Sequence, residues 1–173
     1  MSSVERRLRD AGIELPSPLS PAGAYRPLVV VDSQVWISGQ VAVRDGELVA
    51  RGIVGGGVDT EQARACARQC AINVLAQLRA GLPSLDTVRQ ALRLTVFVAA
   101  EPTFAGHAAV ADAASELIAL AFGEGGTATR SAVGVASLPR NSPVEVDGVF
   151  ALHPIGRAEP AALPEGSSFT SPQ

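Results

Sequence analysis

The chain of 173 residues fits one domain, because two halves would each be too small to bury a good core. Hydrophobic residues form 47% of it and charged residues 18%, which is typical of a globular protein with apolar surface left for a subunit interface. The formal net charge of −3 and the lack of clustered Lys and Arg argue against a nucleic-acid-binding surface.

The first twenty residues predict a short helix followed by an extended lead-in. Within residues 3–11, Val4 and Leu8 fall on one face of a helix, and Ser3 is placed to cap it. Charged residues fill the region where a signal peptide would need an apolar core. No run reaches the roughly 20 apolar residues of a membrane span. We therefore expect a cytoplasmic chain with no membrane association.

A proline-rich segment, residues 15–27, carries the only tyrosine of the chain, Tyr25. Because proline disfavours helical conformations in the residue before it, this segment is predicted to be extended. Tyr25 could enter a pocket, or it could pack with its hydroxyl at the surface. The sequence leaves both interpretations open.

Strands are predicted to follow between residues 28 and 48. Asp32-Ser33 and Asp45-Gly46 are turn signals between strand-like runs, and an Asp-Gly pair suits a type I′ hairpin turn. Gly39 interrupts the second of these runs. A glycine inside a strand indicates either a bulge or a place where another group approaches the backbone closely.

Two long helices and the strand between them complete the predicted α+β fold. Asp59 and Gln62 form a capping-box signature, and apolar residues then recur at helical spacing up to Gly81. Residues 91–98 alternate as in a strand, with Leu92 among the residues predicted to face the core, and residues 103–122 predict a second helix. This order gives one mixed sheet with two helices on one face, and it leaves the other face for self-association.

The side chains needed for several kinds of catalysis are scarce. The only histidines are His107, on a predicted helix, and His153, at the start of the predicted tail, and neither lies near a nucleophile-elbow sequence. A Ser-His-Asp triad is therefore not expected, and ligands for a metal centre are scarce. Cys66 and Cys70 lie four apart in a helical pattern and are predicted to be small buried residues, since a disulfide across one helical turn has poor geometry. What remains is a site built from Arg, Glu, Tyr, Ser and backbone groups, which could hold a small carboxylic acid.

The stretch 127–147 predicts a hairpin of two strands joined by a proline-bracketed reversal. Arg130 opens the first strand and Glu145 lies early on the second. A guanidinium presents rigid paired donors, so Arg130 could bind a carboxylate. An exposed ion pair between Arg130 and Glu145 that serves solubility is the alternative, and these residues alone do not decide between the two.

Several motifs taken together resemble the RidA/YjgF family over about residues 21–152. Each is weak alone, but their order and spacing are specific to that family. The motifs are Pro21-Ala-Gly-Ala-Tyr25, Val35-Trp-Ile-Ser38-Gly39-Gln40, Asn73-Val-Leu75, Val96-Phe-Val98, Phe104, Arg130-Ser-Ala-Val133, Leu138-Pro139 and Val144-Glu145-Val146.

The resemblance implies a chorismate-mutase-like α+β fold, assembled as a homotrimer with three clefts between neighbouring subunits. It implies hydrolysis of reactive enamine or imine intermediates that carry a carboxylate, giving 2-oxo acids and ammonia without a metal or organic cofactor. The residue matching Arg130 would grip the substrate carboxylate, and Glu145 would orient or activate water. Tyr25 and Ser38 would line the cleft, with backbone groups at Gly39 completing it.

Two positions depart from the pattern of the family's deaminases. Ala132 stands where many of them carry a cysteine, and Asp112 stands where a helix asparagine is common. Asp112 is therefore expected at the substrate-binding site, with a charge that would repel a carboxylate. Two alternative functions stay open. The chain could form a trimer that binds a small acid without turnover, or it could catalyse an imine or enamine step of a specialised pathway. The endoribonuclease L-PSP or translation-inhibitor label of some members is the least favoured for an acidic chain.

These observations predict three parts of the chain. Residues 1–20 form the N-terminal helix and lead-in, and residues 21–152 form the family domain. Residues 153–173, rich in Pro, Ser, Gly and Ala, are predicted to be a disordered tail.

Overall fold

The computed structural model describes residues 1–154, so the prediction of a disordered tail falls almost wholly outside the described residues. The described part is a five-stranded sheet with two long helices on one face, as the α+β prediction expected. The sheet has the order β1-β2-β9-β7-β8, and its strands are β1 (Leu28–Val31), β2 (Gln34–Val41), β7 (Val88–Ala99), β8 (Thr129–Val135) and β9 (Val144–Leu152). Two short ladders join β3 (Val43–Arg44) to β4 (Glu47–Leu48) and β5 (Ile53–Val54) to β6 (Gly57–Val58).

The helices are α1 (Ser3–Asp10), α2 (Thr60–Gly81) and α3 (His107–Phe122). The predicted capping box of α2 is confirmed, because Asp59 accepts a hydrogen bond from the Gln62 amide at 2.8 Å and Gln62 accepts one from the Asp59 amide at 3.0 Å. Helix α1 is capped by Ser2 and not, as predicted, by Ser3.

The reason is that Ser3 has another partner across the fold. Its backbone amide and its hydroxyl both donate to the carboxylate of Asp86, at 2.8 Å and 2.7 Å. Helix α1 is thereby attached to the region just before β7, and its apolar residues Val4 and Leu8 are buried in the main core. The N-terminal helix is therefore an integral part of the packed fold.

Strands β8 and β9 do not form the hairpin that the sequence predicted. Strand β8 pairs in parallel with one edge of β7, and β9 pairs antiparallel with the other. The cause is α3, which packs on the sheet and returns the chain to the end where β7 began, so that β8 must run parallel to β7. The segment between β8 and β9 then crosses the end of β7, where the Ala99 amide donates to the Pro143 carbonyl at 2.9 Å.

One face of the sheet is covered by the helices, and the other face is exposed. Leu94, Val96 and Val98 of β7 are at most 1% exposed and face the helices, as predicted. Leu92 does not, because the register shifts between Ala91 and Arg93 and places Ala91 in the core.

On the other face, Trp36 and Val31 are 53% and 54% exposed, and Val29 and Val133 also face outward. Glu145 of β9 lies on this uncovered apolar face, opposite Phe97 of β7. In the described part of the chain, no helix combines the length and the apolar character needed to cross a membrane.

Candidate functional site

Four of the six predicted site residues line one open cleft of about 570 Å³. The cleft lies where the proline-rich lead-in, β2, β9 and the segment before β9 meet. Its lining consists of Ala22, Gly23, Tyr25, Ser38, Gly39, Val41, Pro139, Arg140 and Glu145. The structure therefore brings Tyr25, Ser38, Gly39 and Glu145 together within one subunit.

A bulge in β2 shapes the floor of this cleft. Ile37 pairs with Gly148 and Gln40 pairs with Val146, so that Ser38 and Gly39 together stand opposite a single residue of β9. The sequence indicated either a bulge at Gly39 or a close approach of another group to its backbone, and the structure shows both. A Cβ built on Gly39 would lie 2.7 Å from Cδ of Glu145, closer than any side chain allows. Glycine at this position is what lets the Glu145 carboxyl group lie over the bulge.

The other two cleft residues make short local hydrogen bonds. Ser38 donates its hydroxyl proton to the carbonyl of Arg26 at 2.8 Å, and its amide donates to the carbonyl of Pro27 at 3.0 Å. The hydroxyl oxygen of Tyr25 accepts a hydrogen bond from the Ala22 amide at 3.3 Å, and its side chain is 48% exposed. The lead-in is thus tied to β2, and Tyr25 lies at the mouth of the cleft with its hydroxyl proton still available.

Buried amide side chains hold the bulge from the helix side. Gln40 donates to the carbonyl of Ser38 at 2.9 Å, and Gln77 of α2 donates to Gln40 at 3.4 Å and to the carbonyl of Leu19 at 2.8 Å. Asn73 donates to two carbonyls at the end of β2 and the start of β3. These supporting roles were not predicted from the sequence. Their signal was a row of polar residues at four-residue spacing, Gln69, Asn73 and Gln77, beside the apolar stripe of α2.

Glu145 is partly buried, and this changes its acidity. Burial raises the pKa of the Glu145 carboxyl group above its ordinary value of 4.5, and the negative charge of Asp147 adds to the effect. A carboxyl group with a raised pKa is a better proton acceptor once ionised, and it can also deliver a proton at a higher pH than an exposed glutamate. Glu145 is therefore a candidate for proton transfer in this cleft.

Arg130 and Asp112 lie elsewhere. Arg130 is opposite Leu94 on the helix-covered face of the sheet, whereas Glu145 is opposite Phe97 on the uncovered face. With β7 between their strands, the two residues are also separated by two strand spacings, about 10 Å. The ion pair between Arg130 and Glu145, which the sequence left open as an alternative, therefore does not form within the subunit. Arg130 instead donates to Asp112 of α3 at 2.8 Å.

Arg140 supplies the positive charge in the lining of the cleft. Its backbone has a φ of 60°, in the left-handed region, and its guanidinium donates to the carbonyl of Gly46 at 3.2 Å. The sequence shows Arg140 only as a second cation in the predicted turn. Its place near the cleft depends on the path of the segment before β9, which no local motif predicts.

The cysteines are free and buried, as predicted. Burial raises the pKa of the Cys66 thiol to about 11, so that it remains protonated and unreactive at neutral pH. Within residues 1–154, no group of three or more His, Cys, Asp or Glu side chains is arranged to hold a metal ion.

Comparison with protein families matches residues 5–152 to the family described as "YjgF/chorismate mutase-like, putative endoribonuclease". The chain belongs to the YjgF/chorismate mutase-like family. This confirms the predicted resemblance to RidA/YjgF proteins, and the matched range includes most of α1.

Known YjgF-family relatives cover most of the chain. Protein TCP17 of Trypanosoma cruzi is 38% identical over 151 residues, which are 87% of this chain and 94% of the relative. The crystal structure of Atu1372 from Agrobacterium tumefaciens, of unknown function, is 37% identical with a TM-score of 0.81, over 87% of this chain and 92% of that one. Escherichia coli TdcF, solved with bound serine, is 28% identical with a TM-score of 0.54, over 79% and 94%. The names of TCP17 and Atu1372 state no activity.

Replacing Gly39 by alanine should displace the Glu145 side chain while leaving the fold intact, because the colliding group is the end of a flexible side chain. The carboxyl group would move towards solvent, and its pKa would fall towards 4.5. NMR titration of the Glu145 Cδ resonance measures this. Gly23→Ala is the matched control, since its Cβ would only touch the Tyr25 ring at 3.7 Å. An unchanged Glu145 titration in Gly39→Ala would contradict the described packing.

Replacing Glu145 by glutamine should stabilise the protein at neutral pH but not in acid. The folded-state pKa of Glu145 is raised, so its contribution to stability is full below 4.5 and is lost as the pH rises through the folded-state pKa. For a partly exposed group we expect a gain of less than about 1 kcal/mol in the free energy of unfolding at pH 7. Urea denaturation at about pH 3 and pH 7 measures it, with the exposed Glu14→Gln as control. A gain of equal size at both pH values would contradict the raised pKa.

Proposed function

We propose that the chain hydrolyses small reactive enamines or imines that carry a carboxylate, releasing a 2-oxo acid and ammonia without a cofactor. The observation that carries the proposal is the convergence of Tyr25, Ser38 and Gly39 on Glu145, a carboxyl group with a raised pKa, in a chain of the YjgF family. The RidA/YjgF resemblance supplies the reaction class, and the cleft provides a group suited to proton transfer.

The reaction requires only modest help with protons. In the proposed reaction an enamine first takes a proton on carbon and becomes a protonated imine. Glu145 removes a proton from water as the water oxygen bonds to the imine carbon. It then returns that proton to the nitrogen. The carbon–nitrogen bond breaks and ammonia leaves while the hydroxyl proton passes to the Glu145 carboxylate and the carbonyl forms. Glu145 finally releases this proton to solvent, which balances the proton that the enamine first took up. One water is consumed for each 2-oxo acid and ammonia produced.

The substrate carboxylate is assigned to Arg130 of a neighbouring subunit. Within one subunit Arg130 lies on the helix-covered face and Glu145 on the uncovered face, so one chain alone does not unite them. The uncovered apolar face, with Trp36 more than half exposed, supports burial against other copies of the chain. We therefore propose a homotrimer in which each cleft is completed by the edge strand β8 of its neighbour. The serine bound to TdcF supports a ligand of amino-acid size.

Adding the protein to 2-aminoacrylate, generated by a serine dehydratase, should speed the release of pyruvate. Glu145→Gln should reduce the rate constant by roughly 10²–10⁴-fold, which is the usual contribution of a positioned acid–base group. Arg130→Ala should weaken substrate binding, and Glu14→Gln, outside the cleft, should change neither. A coupled assay of pyruvate release, corrected for the spontaneous rate, measures the effect of each of the three variants.

A wild-type rate equal to the spontaneous rate would contradict the proposed hydrolysis. If 2-oxo acids nevertheless bound in an Arg130-dependent way, the chain would act as a small-acid-binding protein.

A further inference from the structure

Arg140 lines the cleft in a backbone conformation that its own side chain does not stabilise. Its φ is 60°, and Asn141 follows with a φ of 63°, so two successive residues other than glycine lie in the left-handed region. That region is disfavoured for residues with a Cβ. Both side chains are exposed, so their packing does not offset the strain. Strained residues that persist in a fold cluster at ligand-binding sites, which makes Arg140 a candidate for ligand contact.

Hydrogen bonds from the loop after β4 hold this strained segment in place. The Gly52 amide donates to the carbonyl of Asn141 at 3.0 Å, and Nη1 of Arg51 donates to the carbonyl of Arg140 at 3.4 Å. The strained backbone is therefore fixed by the neighbouring loop. The fold keeps Arg140 at the cleft although another path would relieve its strain.

The cleft next to Arg140 continues into a smaller cavity of about 110 Å³. The two spaces share part of their lining, namely Ala22, Tyr25, Gly39, Val41 and Arg140. Since one water molecule needs on the order of 10–15 Å³, the smaller cavity has room for a short side chain of a ligand. Among the described residues that line it, Arg140 is the only one that carries a charge.

The guanidinium of Arg140 has donors available for an anion. Within residues 1–154 it forms no ion pair, and its one hydrogen bond runs from Nη2 to the carbonyl of Gly46 at 3.2 Å. Nε and Nη1 are left free to donate. The pKa of Glu145 is raised by burial and by Asp147 and is not lowered by Arg140, so the guanidinium lies away from that carboxyl group. Arg140 is therefore placed for an anionic group distant from the reacting carbon.

We propose that Arg140 makes the cleft selective for 2-imino acids whose side chain ends in a second carboxylate. The inference rests on the proposed function, in which Arg130 of the neighbouring subunit binds the carboxylate at C1 and Glu145 acts at C2. A second carboxylate, one or two methylene groups beyond C2, extends towards the smaller cavity and accepts charge-assisted hydrogen bonds from Arg140. A substrate with a short apolar side chain makes no such contact.

The test compares the binding of 2-oxoglutarate and 2-oxopentanoate, which share a five-carbon chain and differ only in the terminal carboxylate. Isothermal titration calorimetry gives the dissociation constant of each. Wild type should bind 2-oxoglutarate about tenfold more tightly, as expected for a hydrogen bond between charged groups. Arg140→Ala should abolish this preference by weakening the binding of 2-oxoglutarate alone, and Arg140→Lys should retain part of it.

Two further variants control for charge and for backbone conformation. Arg6→Ala removes the same charge from an exposed position of α1, outside the cleft, and should keep the preference. Arg140→Gly removes the guanidinium but readily adopts a φ of 60°, so its loss of preference cannot come from a distorted backbone.

The proposal is overturned if Arg140→Ala weakens the binding of both acids equally, or if wild type binds 2-oxoglutarate no more tightly than 2-oxopentanoate. Its outcome is separable from that of the proposed hydrolysis. A preference that depends on Arg140, in a protein that does not speed pyruvate release from 2-aminoacrylate, would reject the hydrolysis alone. Hydrolysis without the preference would reject the selectivity alone.

Discussion

The pairing of β7 on both of its edges is the constraint on which the functional geometry depends. Because β8 takes one edge in parallel and β9 takes the other, the two strands that carry Arg130 and Glu145 never touch. The register then puts Arg130 on the helix-covered face and Glu145 on the uncovered face. A single subunit therefore holds two separate clusters of polar groups, the cleft around Glu145 and the charge pair between Arg130 and Asp112 on β8 and α3.

Each cluster depends on one close contact that a single substitution would remove. At the cleft, the bulge at Ser38 and Gly39 makes room for the carboxyl group of Glu145, and buried amides from α2 hold the bulge. At the charge pair, α3 fixes the Arg130 guanidinium through Asp112. Burial raises the proton affinity of Glu145, while Asp112 holds Nη1 of the Arg130 guanidinium in place. In the proposed trimer Glu145 acts at the imine carbon and nitrogen, and Arg130 of the neighbouring subunit binds the carboxylate.

Local sequence signals predicted the helices, the turns and the family. They could not predict which strands pair, because strand pairing depends on residues far apart in the chain. The Asp59–Gln62 capping box and the Asp45-Gly46 turn depend only on neighbouring residues, and both formed as predicted. The partner of β8 depends on how α3 packs, so the predicted hairpin between β8 and β9 was wrong. For Gly39, the sequence indicated a close approach but not that Glu145 makes it. The Arg130–Asp112 pair links residues 18 apart on two elements, and their spacing has no local pattern.

The most direct test of the shared site is the activity of mixed assemblies. Arg130→Ala and Glu145→Gln chains, co-expressed with different affinity tags, would form trimers in which an intact Glu145 of one subunit can meet an intact Arg130 of its neighbour. For random assembly of trimers we predict that imine hydrolysis returns to about a quarter of the wild-type rate, although each variant alone is nearly inactive. Mixed assemblies no more active than the separate variants would contradict a site that is shared between subunits.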